Sequence, residues 1–568
     1  MPSTLSYPGV YIEEIPSGVR TLAGVSTSNT AFVDSFSRGP MNDPQRITSF
    51  SDFERVFGGL DANSEASYAI RQYYLNGGSI AFVVRVASGD ATRSQIALVG
   101  TVGSVQSVVM IAEAIDEGEW GDNLQVAVDY NTAPDPGTRL PRTNELNLVV
   151  REVETVSGRR QVVRSEILRN LSLDKTSPRY ALDAVAAESS LVRLLEVSNP
   201  GVRPDQTTTL TVPDATSPAV VGDPTTGDRL NSSGYTNPTW VFRSHADTAS
   251  IPLPSGTLQK GQGGTPPNVT ALVDGVQTLD RIAPEVFNIL CIPRAANLDE
   301  AATDFDTPLL RAAVEEAIKY CRDKRAFLIV DIPPKVRTAD DMMEWMAANE
   351  NIRDRNAAVY FPRLEVPDPL LENRPRNVGP SGTLAGLYAA ADAGRGVWKA
   401  PAGTEVGLVG ATLTAKLSDL ENGGLNPFGI NALRTFPVFG DVVWGARTLE
   451  GADIQASEWK YIPVRRTALF LEESLFEGLK WVVFEPNDEG LWAQIRLNVG
   501  AFMQNLFRQG AFQGNTPSKA YFVKCDSETT TQNDIDLGVV NIVVGFAPLK
   551  PAEFVVIQIQ QMAGQIEV

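Results

Sequence analysis

Histidine occurs once in the 568 residues, at His245, and cysteine three times, at Cys291, Cys321 and Cys525. A zinc centre has too few ligands at usable spacing. A Ser-His-Asp or Cys-His site would have to use His245, yet no G-x-S-x-G nucleophile elbow is present, and the residue reads as a satisfied or surface histidine. The cysteines lie far apart in apolar or helical patterns, which reads as buried free thiols of a reducing compartment. No P-loop and no strand-linked G-x-G-x-x-G occurs; "KGQGGTPP" sits beside Pro266 and Pro267 and reads as a flexible loop. Basic residues are outnumbered, 49 Lys and Arg against 68 Asp and Glu, and the net charge of −19 repels nucleic acid and anionic membrane surfaces. No stretch approaches the roughly 18 apolar residues of a membrane helix. The longest, "GVVNIVVGFAPL", is broken by Asn541 and Pro548, and the opening "MPSTLSYPGVYIEEIPSGVR" has neither the basic nor the apolar region of a secretory leader. The expectation is a chain that is made in a cytoplasm, has no metal or cofactor, and neither binds nucleic acid nor inserts into a membrane.

What is present is hydrophobic content of 43% spread over a length that exceeds one core. "SFSDFERVFGG" reads as a short helix with a Ser or Asp cap, and "SEASYAIRQYYLNGGSIAFVVRVA" as a helix ended by Asn76-Gly77-Gly78 followed by a buried strand. From about residue 90 to 270 helical periodicity weakens, strands such as "NLQVAVDY" and "ELNLVVREV" appear, and a Thr/Ser/Pro/Asp-rich stretch follows. "EVFNILCIP", "AFLIVDIP" and "AAVYFPRLEV", separated by two helical patterns, predict a parallel sheet. "INALRTFP" and "VVWGARTL" flank "VFGD" as a hairpin. Two helices then carry apolar stripes, Ala468-Leu471-Leu475-Leu479 and Trp492-Ile495-Val499-Phe502-Leu506. The fold class is α/β (α+β) and multidomain: an amino-terminal arm 1–25, a first part of an α/β core 26–89, an inserted mostly-β domain 90–270, an α/β domain 271–395, a regular carboxyl-terminal core 396–547 and a carboxyl-terminal β-arm 548–568.

Carboxylates offer the remaining chemistry. Asp331 ends an apolar strand, where parallel sheets place functional groups, but it has no titratable partner in sequence and reads as a capping aspartate. Asp526, Glu528, Asp534 and Asp536 gather in "CDSETTTQNDID", which lacks an EF-hand pattern and reads as a solvated turn between strands. The tryptophans at 444, 459, 481 and 492 suit core packing or a protein interface. Both ends of the chain are period-two segments beyond proline or glycine: Val10 and Ile12 alternate with Tyr11 and Glu13, and Val555, Ile557 and Ile559 with Val556, Gln558 and Gln560. Such an arm orders only where a sheet edge is offered, its own or a neighbour's.

The segments "SYPGVYIEEIPSG", "FVDSFSRGP", "YYLNGGSIAFVVRV", "GEWGDNL", "LNPFGINALRTFPVFGDVVWGARTL", "WKYIPVRRTALFLEESL", "LWAQIRLNVGAFMQNLFRQGAFQG" and "FAPLKPAEFVVIQIQQMAGQI" resemble the sheath proteins of contractile phage tails and related contractile injection systems. In "GEWGDNL", Asp122 stands where Asn is common in that family. The resemblance implies a helical homo-oligomer around an inner tube, with baseplate and terminal cap proteins as further partners. It also implies assembly in the cytoplasm of a producing bacterium and a shortening that drives the tube through a target envelope. It implies an inner α/β core with an outward insertion, and a subtilisin-like topology without catalysis in the 271–395 domain. Val10, Tyr11, Ile12, Val555, Ile557 and Ile559 become the candidates for inter-subunit strand contacts. Arg496 and Arg508, on a helix resembling the tube-facing element, become candidates for the tube surface. A non-contractile filament or shell is the alternative, and an α/β hydrolase-like enzyme using Asp331 is the remaining one.

Overall fold

Short apolar strands alternating with amphipathic helices give a parallel sheet, as the spacing predicts. The computed structural model describes residues 22–134, 137, 142–156, 158–197, 201–210, 238–253 and 257–559. The chain divides into two compact units, one comprising the residues up to Phe32, Tyr68–Phe82 and everything from Ile282 onward, the other Val33–Ser67 and Val83–Arg281. The expected 26–89 segment is thus shared between the two units.

The first unit is built on a sheet that includes, as neighbours in this order, β2 (Ala81–Arg85), β1 (Thr30–Asp34), β3 (Ile289–Cys291), β4 (Phe327–Val330), β5 (Ala357–Phe361), β6 (Asn431–Phe436) and β7 (Gly440–Val443). From β1 to β6 each neighbouring pair is parallel, whereas β6 and β7 form the expected antiparallel hairpin with Leu433 opposite Val443. Every residue of β4 and β5 is buried, because helices cover both faces of a parallel sheet. Helices α1 (Pro308–Asp323) and α2 (Ala339–Ala348) are the crossovers; α2 begins at a capping box in which Thr338 and Asp341 satisfy each other's backbone N–H groups. Helix α3 (Ser381–Arg395) follows, then α4 (Ile462–Gly478) and α5 (Glu489–Arg508). The stripe Trp492, Ile495, Val499, Phe502 and Leu506 faces a carboxyl-terminal core that also takes in Leu22, Leu471 and Phe512.

The second unit is mostly antiparallel. Gln95–Val102, Val105–Ala114 and Val192–Glu196 make one sheet; Leu124–Asp129, Glu145–Val156, Arg159–Ser172 and the short Arg243–Ser244 make another. Inward residues of both, among them Leu98, Met110, Val128, Leu148 and Leu168, share one apolar core. "GEWGDNL" forms a turn of 3-10 helix there. Asp122 Oδ1 accepts from Ser94 Oγ (2.7 Å) and from the Gly261 N–H (3.0 Å), tying the turn to the "KGQGG" loop. An asparagine carbonyl oxygen could accept the same two bonds, so the Asp at this position keeps the local architecture.

Candidate functional site: two arm roots and an open two-stranded sheet

The tail of the first unit carries a small sheet of its own. Strands β8 (Tyr521–Lys524) and β9 (Val543–Phe546) pair only with each other, antiparallel, with Tyr521 opposite Phe546. Tyr521, Val523, Val544 and Phe546 pack against the α5 core. On the other face Phe522 and Val543 are exposed. The Phe522 ring lies over Gly545, where an added Cβ would sit 2.1 Å from it, so the glycine is what allows the aromatic to cover the partner strand. Two strands alone are marginal in water. Among the described residues no further strand occupies either long edge of this sheet.

The acidic turn between these strands is spoken for locally. Asp526 accepts from the N–H groups of Glu528 (2.9 Å) and Thr529 (3.2 Å), and Asp534 accepts from Thr531 N (2.8 Å) and Oγ (2.7 Å), capping the short helix Gln532–Asp536. Those bonds hold the Asp534 carboxyl below the usual carboxylate range. No cluster of three or more His, Cys, Asp or Glu able to hold a metal occurs among the described residues.

Beyond β9 the chain runs to a single strong fastening. Arg447, whose side chain is 1% exposed, grips Glu553 with two parallel bonds, Nε to Oε1 at 2.6 Å and Nη2 to Oε2 at 2.7 Å. Asn426 Nδ2 (3.0 Å) and Tyr461 OH (3.2 Å) donate to the same carboxylate, and Arg447 also reaches Asp453 at 2.9 Å. A groove of about 1050 Å³ lined by Trp398, Trp444, Arg434 and the segment Leu549–Phe554 adjoins this clamp. Past it, Phe554, Val555, Val556, Ile557 and Ile559 are between 74% and 93% exposed. The period-two pattern predicts a strand here; residues 551–559 form none in the single chain.

Burial pushes the Glu553 carboxyl up, but the bonds from Arg447 and Asn426 and the charge of Arg447 outweigh it and hold the group below its ordinary 4.5. A depressed carboxylate pKa contributes stability that is complete above about 4.5 and is lost as pH falls through the lower folded value. We therefore expect Glu553→Gln to weaken the arm root by about 1.5–3 kcal/mol at pH 7. The difference from the parent should close below pH 4.5, read as proteolytic release of the tail against pH. Equal release at pH 7 in both proteins would refute the clamp.

The amino-terminal root is fastened too. Leu22 packs in the α5 core beside Gly478, the Val25 N–H donates to Ser474 Oγ (3.2 Å), and the Thr27 carbonyl accepts from Arg466 Nη2 (2.8 Å). Arg466 is paired bidentately with Asp392 at 2.9 and 2.6 Å, with both side chains under 5% exposed. Val10, Tyr11 and Ile12 lie outside the described residues.

The other sequence candidates have structural partners. Asp331 accepts from the Ser381 N–H (2.9 Å) and hydroxyl at the start of α3, a cap supplied by a neighbouring strand. His245 is buried, with Nδ1 2.8 Å from the Gln95 carbonyl, to which it donates. All three cysteines are buried free thiols, and burial raises their pKa values. Arg496 donates to the Cys525 carbonyl and to Glu489 (2.6 Å), so its guanidinium is already engaged; Arg508 is exposed near the end of α5. The clamp residues Arg447 and Glu553, 106 positions apart, carried no local signal. Only the incongruity of "VVWGARTL", an arginine in an apolar hairpin, hinted at a buried partner.

A parallel-sheet core, an antiparallel second unit and a tail ending in an exposed apolar segment make up a fold similar to that of solved contractile sheath proteins. Residues 455–562 match the phage tail sheath C-terminal domain family. The chain is 29% identical over 183 residues to the tail sheath protein of Vibrio phage KVP40 (isolate Vibrio parahaemolyticus/Japan/Matsuzaki/1991), a match covering 32% of this chain and 26% of that one. It is 25% identical over 249 residues to a prophage major tail sheath protein of Pseudomonas aeruginosa (strain UCBPP-PA14), covering 42% of this chain and 59% of that one. The matched stretches thus span less than two thirds of either curated relative. In fold, the likeness extends over 98% of both chains to the sheath of an extracellular contractile injection system, PVC, solved in its contracted state, with a TM-score of 0.53 at 20% identity.

Proposed function

We propose that this chain is the structural subunit of a contractile tail sheath, polymerising helically around an inner tube and shortening to drive that tube through a target envelope. The observation that carries the reading is the segment Phe554–Ile559, pinned at its root by Arg447 and apolar and unpaired beyond it. Leaving five large apolar side chains in water forfeits about 1.5–3 kcal/mol each relative to burial. A second copy can recover that by accepting the segment on an open edge of the β8–β9 sheet, whose exposed Phe522 and Val543 offer apolar contact. Val555, Ile557 and Ile559 then face the acceptor sheet, and Val10, Tyr11 and Ile12 supply the corresponding strand from the other end of the chain. An arm given to one neighbour and an edge lent to another is a heterologous contact, which propagates into a helix. The work of shortening is the free-energy difference between two lattices of one subunit.

In this reading assembly takes place in the cytoplasm of the producing bacterium, on a baseplate and beneath a terminal cap, with Arg508 rather than the engaged Arg496 as the better candidate for tube contact. The chain acts through assembly and not through turnover. Electron microscopy of the chain co-expressed with its tube protein tests this. Two helical forms of different length and diameter are expected; a single form of fixed diameter would make it a static shell, and no polymer would remove the reading.

A further inference from the structure

The two arm roots converge on one helix. The amino-terminal root runs antiparallel to α4: Leu22 lies against Gly478 at the helix's last residue, Val25 bonds Ser474 one turn earlier, and Thr27 bonds Arg466 near its start. The carboxyl-terminal root reaches the opposite end, where Tyr461, the residue preceding α4, donates to Glu553 beside the Arg447 clamp. Along this 17-residue helix, about 25 Å long, the arms therefore depart from opposite ends. The helix is seated for that task. Arg465, Arg466, Thr467, Glu473 and Ser474 are buried along with its apolar residues. Arg465 is bonded to Asn356 (2.8 Å), Arg466 to Asp392, and Glu473 to Arg325. A helix anchored on its polar as well as its apolar faces cannot roll or slide without breaking buried ion pairs.

We propose that α4 is the tension strut of the subunit: pull arriving through one arm passes along this helix to the other. This rests on the sheath reading. Packed rigid elements are the routes by which displacement at one site reaches another. The position most open to test is Gly478, where an ideal Cβ would lie 3.7 Å from Leu22 Cβ and 1.9 Å from its Cδ2. The first distance matches the Cβ separation of a disulfide, and the native thiols, all buried, do not compete.

The full chain carrying Leu22→Cys and Gly478→Cys is assembled with its tube, reduced or oxidised, and imaged before and after contraction. Reduced, the root loses its leucine packing, and contracted sheaths should show breaks about tenfold more often than the parent, the factor equivalent to about 1.4 kcal/mol per fastening. Oxidised, the covalent tie should restore continuity, while urea unfolding shows both forms folded. Equal continuity in the two redox states overturns the strut. Should the pair assemble in neither state, Leu22→Ala and the double variant Leu22→Ala/Gly478→Ala decide. The added methyl partly refills the site, so the double variant should break less than the single, and equal breakage overturns the proposal. A parent chain that forms no sheath at all instead removes the reading on which the strut rests, and that outcome is distinguished by the parent control alone.

Discussion

We expect a chain ending at Glu553 to fold normally and to build no sheath. Residues 554–559 make no strand in the single subunit and expose their apolar side chains, so their loss removes almost no contact from the folded unit. The expected change in its stability is within about 0.5 kcal/mol. In the proposed assembly the effect is nearly all-or-none, since each subunit loses the strand it would lend to its neighbour. Placing the cut after Glu553 matters. Cutting before Pro551 would also take away the carboxylate that neutralises Arg447, and failure to assemble would then be confounded with a loosened root. Circular dichroism and size-exclusion chromatography should report a folded monomer, and electron microscopy with the tube protein should show bare tubes. Tubes sheathed as in the full chain would show that the carboxyl-terminal segment is not the connector.

The sequence disclosed whatever is periodic. The stripe from Trp492 to Leu506 follows the helical repeat because one face of α5 meets the core, and all five residues are buried there. The apolar runs of β4 and β5 declared a parallel sheet because both of their faces are covered. What stayed hidden is what depends on distance along the chain. Asp331 had no visible partner because Ser381 lies 50 residues on, and Glu553 none because Arg447 lies 106 residues back. Helix α4 was legible as a helix, but nothing local marked Arg465 and Arg466 as buried and paired. The terminal segment taught the opposite lesson: its alternation predicts a strand, yet the single chain forms none there, and the proposed reading assigns its partner edge to a neighbouring copy.

That buried pairing leads to the other large effect. Asp392→Asn keeps the shape of the side chain and removes the charge that compensates Arg466, a guanidinium 3% exposed, stacked 4.8 Å from the Tyr388 ring centroid. Breaking one partner of a buried pair typically costs about 3–5 kcal/mol, because the remaining charge stays desolvated. Replacing both partners by apolar residues, as in Asp392→Leu/Arg466→Met, should recover most of that loss in urea unfolding. The double variant nevertheless gives up the Arg466 bond to the Thr27 carbonyl, and with it one of the fastenings of the amino-terminal root. Stability and assembly should therefore part company: Asp392→Asn unfolds at lower urea, while the double variant unfolds close to the parent and assembles poorly. If Asp392→Asn unfolds with the parent, the pair is not what holds α4 in place. If the double variant assembles like the parent, the guanidinium is not what ties the arm to the helix.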